Sequence, residues 1–119
     1  MLSVQQHHAK LSFAGAARNW ELAGYELDEI QELLEDAARF HPKLKGVKAS
    51  IAELIPSMMN GGIRNVKDAI TQKSEPAFAR SFKGLTASCN SCHKAAEHPF
   101  IVIQTPKYPE FSNQKFEKE

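Results

Sequence analysis

Apolar residues recur along this chain at alternating steps of three and four, in four successive stretches. That spacing gathers them on one face of a helix each time, and no stretch alternates with period two long enough to build a sheet. The first stripe runs Met1, Val4, His8, Leu11, with a histidine at a core-facing position, and is interrupted at Gly15, Arg18 and Asn19. Asn19 is placed to cap a second helix whose stripe is Trp20, Ala23, Leu27, Ile30, Leu34, Ala37, and Pro42 stops that helix near His41. A third stripe, Leu44, Val47, Ile51, Leu54, Met58, resumes at Ile63, Val66, Ile70. Pro56 and Gly61-Gly62 interrupt it, which predicts a kinked helix or two collinear pieces. Ser74 is the natural cap of the fourth helix, with Pro76 in its first turn, and its stripe is Phe78, Phe82, Leu85, Cys89, Cys92, Ala96.

Four amphipathic helices with short connections predict an all-α fold, an antiparallel up-down-up-down four-helix bundle. Residues 1–98 make the bundle, and 99–119, with three prolines and no helical period, an extended C-terminal tail packed on it. A chain of 119 residues with 42% hydrophobic and 24% charged side chains is long enough for one core and one domain. The formal net charge of +1 is too small for a nucleic-acid binder. The longest apolar run, Phe100-Ile101-Val102-Ile103, is far short of a membrane span. The opening Met1-Leu2-Ser3-Val4-Gln5-Gln6 lacks the basic and apolar regions of a signal peptide, so the expectation is a soluble domain, either cytosolic or already processed.

Two cysteines are too few for a disulfide scaffold, but their placement is informative: Cys89-Asn90-Ser91-Cys92-His93. Cys-x-x-Cys-His is the attachment signature of c-type haem. Side chains three and four apart share a helix face, so Cys89, Cys92 and His93 converge. The two thiols can then bond the porphyrin's vinyl groups while the imidazole takes an axial position on the iron. Both cysteines lie on the core stripe of the fourth helix, which would bring one covalent haem c into the bundle interior. The competing readings are weaker on chemistry. A zinc site recruiting His98 suffers from the adjacency of Cys92 and His93. A redox dithiol needs a strand–helix context, and a buried thiol pair needs no explanation beyond packing.

With those residues in view, the chain resembles the c-type cytochromes built as four-helix bundles, the cytochrome c-prime and c-556 group. It is also similar to a set of small monohaem proteins with a segment like His8-Ala9-Lys10-Leu11-x-Phe13-Ala14-Gly15, then Asn19-Trp20-x-Leu22-Ala23-x-Tyr25-Glu26-Leu27. Those proteins also carry a tail like Phe100-Ile101-Val102-Ile103 leading to Phe111-Ser112-Asn113-Gln114. The resemblance implies haem attachment on the last helix, a first helix covering the other haem face, and maturation in the bacterial periplasm. The chain departs from ordinary cytochrome c-prime in the 26 residues after His93 and in a first helix cut short at its start.

The second axial position belongs to the first helix, and two side chains compete for it. At about 1.5 Å per residue, His93 lies roughly 27 Å below the start of helix four, Met1 about 24 Å below the end of helix one, and His8 about 14 Å. Level favours Met1 over His8, with Gln5 between them. The bland alternatives are a core histidine satisfied by a hydrogen bond and a methionine that merely packs. Met58 and Met59 read as gap-filling core, and His41 and His98 as surface groups. A methionine or histidine ligand suits one-electron transfer between redox partner proteins, whereas an apolar distal face leaves the iron open to a small gas such as nitric oxide or carbon monoxide. No nucleophile–base pair marks an enzyme. Helix two is acidic (Glu21, Glu26, Asp28, Glu29, Glu32, Glu35, Asp36) and the haem motif has basic neighbours (Arg80, Lys83, Lys94), an asymmetry able to steer a partner or simply to be solvated. Trp20 and Tyr25 read as core or dimer packing, and a homodimer would follow from an apolar stripe left exposed on helices one and two.

Overall fold

The computed structural model describes residues 1–119 and contains four helices and no strand: α1 (Leu2–Ala16), α2 (Trp20–Phe40), α3 (Ile51–Gln72) and α4 (Glu75–Ala95). Each helix packs on its sequence neighbour, giving an antiparallel four-helix bundle 46 Å long. The predicted caps are in place. Asn19 Oδ1 accepts the Leu22 N–H and Ser74 Oγ accepts the Ala77 N–H, each satisfying one of the donors a helix start leaves over. Three helices close in the same way, with a residue in the left-handed region at Arg18, Lys73 and Glu97. At each end the last two N–H groups reach back to carbonyls of the final turn, as in Arg18 to Gly15 and Asn19 to Ala14.

The core follows the predicted stripes at Leu27, Ile30 and Leu34 of α2, Ile51, Ile63 and Val66 of α3, and Phe78, Phe82 and Leu85 of α4. In the first half of α3, however, Ile55 and Met59 are buried where the stripe predicts Leu54 and Met58, and those two are half-buried. Two positions in the core are glycine for steric reasons. A Cβ on Gly15 would lie 2.0 Å from the Phe78 ring, and one on Gly62 would lie 3.3 Å from Leu85 Cα. These are the close approaches of α1 and of α3 to α4.

The third helix differs from its prediction. Residues 44 and 47 keep the apolar period but lie in the loop 41–50, and α3 begins only at Ile51, where the Pro42 carbonyl accepts the N–H groups of Ile51 and Ala52. From there it runs unbroken through Pro56 and Gly61-Gly62. Pro56 and Ala52 both face solvent, so the one carbonyl that Pro56 leaves unpaired is open to water. Glu26, counted among the charges of an exposed acidic face, is 2% exposed, and its Oε2 meets His7 Nδ1 at 2.5 Å, joining α2 to α1. Tyr25 lies on the surface, while Trp20 packs edge-on to Phe78. No helix is long and apolar enough to cross a membrane.

Residues 99–119 run without regular structure along the bundle. Phe116 is buried against Phe13, the Phe116 carbonyl accepts from Asn19 Nδ2, and Lys10 Nζ lies over the Phe111 ring.

Candidate functional site

Because α1 and α4 are antiparallel, their facing residues pair in descending order. Gly15 meets Phe78, and His8 meets Phe82 and Thr86. One turn further down α4 the two helices no longer touch side by side, and a cavity of about 460 Å³ lies between them. From α4 it is lined by Cys89, Cys92 and His93, and from α1 by Met1, Val4, Gln5 and His8. Leu34, Ile51, Ile55 and Met59 form an apolar floor, and Ile101 and Ile103 of the tail close a side. The three residues of the Cys-x-x-Cys-His motif thus face one apolar space, as their spacing predicted.

Neither cysteine is in a disulfide. Burial pushes the Cys89 thiol up to about 11, with the nearby Cys92 adding to the shift, and burial raises Cys92 as well. Both are therefore neutral thiols at pH 7. That is the opposite of a redox-active dithiol, whose attacking cysteine has a depressed pKa. No three His, Cys, Asp or Glu side chains converge on a point that would hold a bare metal ion.

His93 is oriented by the tail. The left-handed Glu97 ends α4, with the His98 N–H donating to the His93 carbonyl at 2.7 Å, and turns the chain back along the helix. The returning segment places the Ile101 carbonyl 2.9 Å from His93 Nδ1. A carbonyl only accepts, so Nδ1 carries the proton and Nε2 is left with its lone pair. A metal-bound histidine usually has this arrangement, its second nitrogen tied to a carbonyl. Glu97 Oε2 also accepts the Lys48 N–H at 2.8 Å, fastening the loop 41–50 to the same end. His98, read from sequence as a surface group, is half-buried and lines the cavity, since the turn at Glu97 folds it inward.

On the α1 side the two candidate ligands differ. His8 is buried, its ring 4.6 Å from that of Phe82, and its Nε2 is 2.8 Å from Thr86 Oγ1. Thr86 Oγ1 donates its proton to the Phe82 carbonyl, so it accepts from His8, which carries its proton on Nε2. Burial pulls this imidazole down to about 4 and keeps it neutral. Its partner Thr86 stands two turns above His93, about 10 Å along α4. Met1 is seven residues below His8, lines the cavity and is 65% exposed.

No family model, curated protein or solved structure matches the chain.

The residues fit a covalently held haem on their own chemistry. The cavity is within the size range of cofactor sites and is mostly apolar, as a porphyrin face requires. It offers two free thiols one helical turn apart and one imidazole with a free Nε2. Sequence reasoning found these three residues and allowed the tail's residues 100–103 to fold over the site, but did not find the hydrogen bond by which Ile101 orients His93. The pairing of Ile101 with His93 spans a chain reversal whose pivot is Glu97, a residue type that carries no turn signal.

Proposed function

We propose that this chain is a monohaem c-type cytochrome that carries single electrons between redox partner proteins. The observation that carries the reading is the meeting of Cys89, Cys92 and His93 at one apolar cavity, with His93 Nδ1 bonded to the Ile101 carbonyl. Cys89 and Cys92 would hold the haem by adding across its two vinyl groups, each sulfur bonding one vinyl carbon while the thiol proton goes to the other. His93 would hold the iron through Nε2. Bound haem supplies the one-electron couple of its iron. Ile55, Met59 and Leu34 exclude water from the porphyrin face, and that low dielectric favours the less charged reduced state. Met1, which lines the cavity from the α1 side, would be the second ligand to the iron. The acidic α2 and the basic Arg80, Lys83 and Lys94 on α4 give the molecule a charge asymmetry for partner encounter. The chain acts as a carrier rather than an enzyme. Maturation belongs in the bacterial periplasm, as for the cytochromes it resembles.

A second reading, binding of nitric oxide or carbon monoxide at an open iron, is favoured by one observation. His8 is bonded to Thr86, about 10 Å above His93 along α4, which sets one of the two candidate ligands away from the level of His93. The deciding experiment is the visible spectrum of protein matured in a haem-attaching periplasm, oxidised and then reduced. A split low-spin spectrum indifferent to carbon monoxide supports the electron carrier, and its loss in Met1→Ala assigns the ligand. A high-spin spectrum that shifts with carbon monoxide supports gas binding. Protein without covalent haem sinks both.

A further inference from the structure

Asn90 lies between the two cysteines, where the haem motif leaves the residue type free. Its side chain is nevertheless fully engaged. Asn90 Nδ2 donates to the Ile103 carbonyl at 2.9 Å and Oδ1 accepts the Ile103 N–H at 2.7 Å. A primary amide held on both sides by one residue's backbone mimics a pair of strand ladder bonds, and only asparagine or glutamine offers that donor–acceptor combination. The contact lies two residues beyond Ile101, whose carbonyl takes the His93 proton. Apart from the His93 bond itself, the hydrogen bonds that fix the tail near here are those of the turn at Glu97 and His98, and Phe100, Ile101 and Val102 are exposed. Further along, the next anchor to the bundle is Lys10 against Phe111. The clip thus closes a short loop whose other end is the helix terminus, and His93 faces its middle.

We propose that Asn90 is the positioning residue of this site: by clamping Ile103 it holds the tail on α4, so that the Ile101 carbonyl takes the His93 Nδ1 proton and the ring presents Nε2 to the iron. The inference rests on the haem reading for its last step only. Asn90 does not touch the imidazole and is not itself a lining residue of the cavity; it acts through the backbone of Ile103, which is one. Strong hydrogen bonding at Nδ1 makes the imidazole a better electron donor and so favours the oxidised iron.

The test compares wild type, Asn90→Ala, Ile103→Pro and the control Ser91→Ala, an exposed neighbour, all matured with haem. Ile103→Pro removes the donor at the other end of the clip while leaving Asn90 and α4 intact. Amide hydrogen exchange at Ile101 is expected to rise about tenfold in both clip variants, and at Ile103 in Asn90→Ala, as for the loss of a hydrogen bond, with the α3 and α4 amides unchanged. The iron–histidine stretching frequency is expected to fall and the reduction potential to rise in the same two proteins, and neither to move in Ser91→Ala. Faster tail exchange with an unmoved iron–histidine stretch would overturn the proposal, since Asn90 would then tether the tail and nothing more. So would unchanged exchange. Covalent haem is scored separately by mass. A wild-type chain that carries none refutes the haem reading alone, and the ¹⁵N shifts of His93 in wild type and Asn90→Ala then decide the clip. The Nδ1–H tautomer must dominate in the first and give way in the second.

Discussion

At the scale of the residue, Gly15 and His8 show how tightly α1 is fitted to α4. The Phe78 ring occupies the space that a Cβ on Gly15 would take, and Phe78 is itself buried between Trp20 and Phe82. The ring cannot swing aside into solvent, so Gly15→Ala overpacks the core and should cost about 1–3 kcal/mol, read as a lowered urea midpoint at unchanged slope. His8 makes a pH-dependent contribution. Its ring is 4% exposed and neutral, bonded to Thr86, with burial taking its pKa from 6.5 to about 4. The unfolded chain therefore binds this proton at a higher pH than the folded one. The stability is complete above pH 6.5 and is lost as pH falls through about 4, with a total of about 3 kcal/mol. In His8→Phe, which keeps the stacking on Phe82, the stability curve should be flatter by that amount between those pH values. Denaturant titrations at pH 7, 5.5 and 4 check it, and parallel curves for the two proteins would refute it.

At the scale of the element, α3 separates what the chain states about itself from what it conceals. Caps, stripes and stops at Asn19, Ser74 and Pro42 were legible because each is a local signal with a local cause. Leu44 and Val47 misled because an apolar period needs no helix when the Pro42 carbonyl already serves the first N–H groups of α3. Pro56 and Gly61-Gly62 misled in the other direction, since a proline facing water leaves its orphaned carbonyl hydrated. The two glycines are alike in sequence and unlike in place. A Cβ on Gly61 would meet nothing within 4 Å, whereas on Gly62 it would press on Leu85 Cα at 3.3 Å and Ser88 Oγ at 3.2 Å. Gly61→Ala should therefore stabilise by about 1 kcal/mol through helix propensity alone. Gly62→Ala should lose that gain and more by driving α3 off the α4 backbone. Thermal midpoints moving in opposite directions are the expected result, and two midpoints that both rise would show that α3 can yield to a methyl group against α4. The site divides in the same manner. Cys89, Cys92 and His93 were found by spacing, while Asn90, Ile101 and the Thr86 partner of His8 are joined across reversals and helix pairs that no periodicity encodes.

At the scale of the whole molecule, the bundle behaves as two hairpins that meet unevenly. α1 is bound to α2 by packing and by the half-buried His7–Glu26 pair, and α3 is bound to α4 around Gly62. Across the α1–α4 seam the helices touch closely only from Gly15 to His8, and below that the cavity separates them. An apolar space of about 460 Å³ that the chain cannot close by itself forfeits the contacts its walls would otherwise make. A large apolar group seated there, bonded to α4 and covered by α1, would join the hairpins at their weakest place. Protein made without haem, or the Cys89→Ala/Cys92→Ala chain, should accordingly open first at this seam. Amide exchange in residues 2–8 should then be the fastest of any helical segment, while α3 and the upper half of α4 stay protected. Covalent attachment should slow exchange in that segment by more than in any other and raise the thermal midpoint, because ligand binding to the folded state alone shifts stability towards it. Exchange that is uniform along all four helices, with or without haem, would mean that the bundle is one cooperative unit and that the cavity is no weakness. A selective gain in residues 2–8 would instead identify the seam as the place where maturation completes the fold.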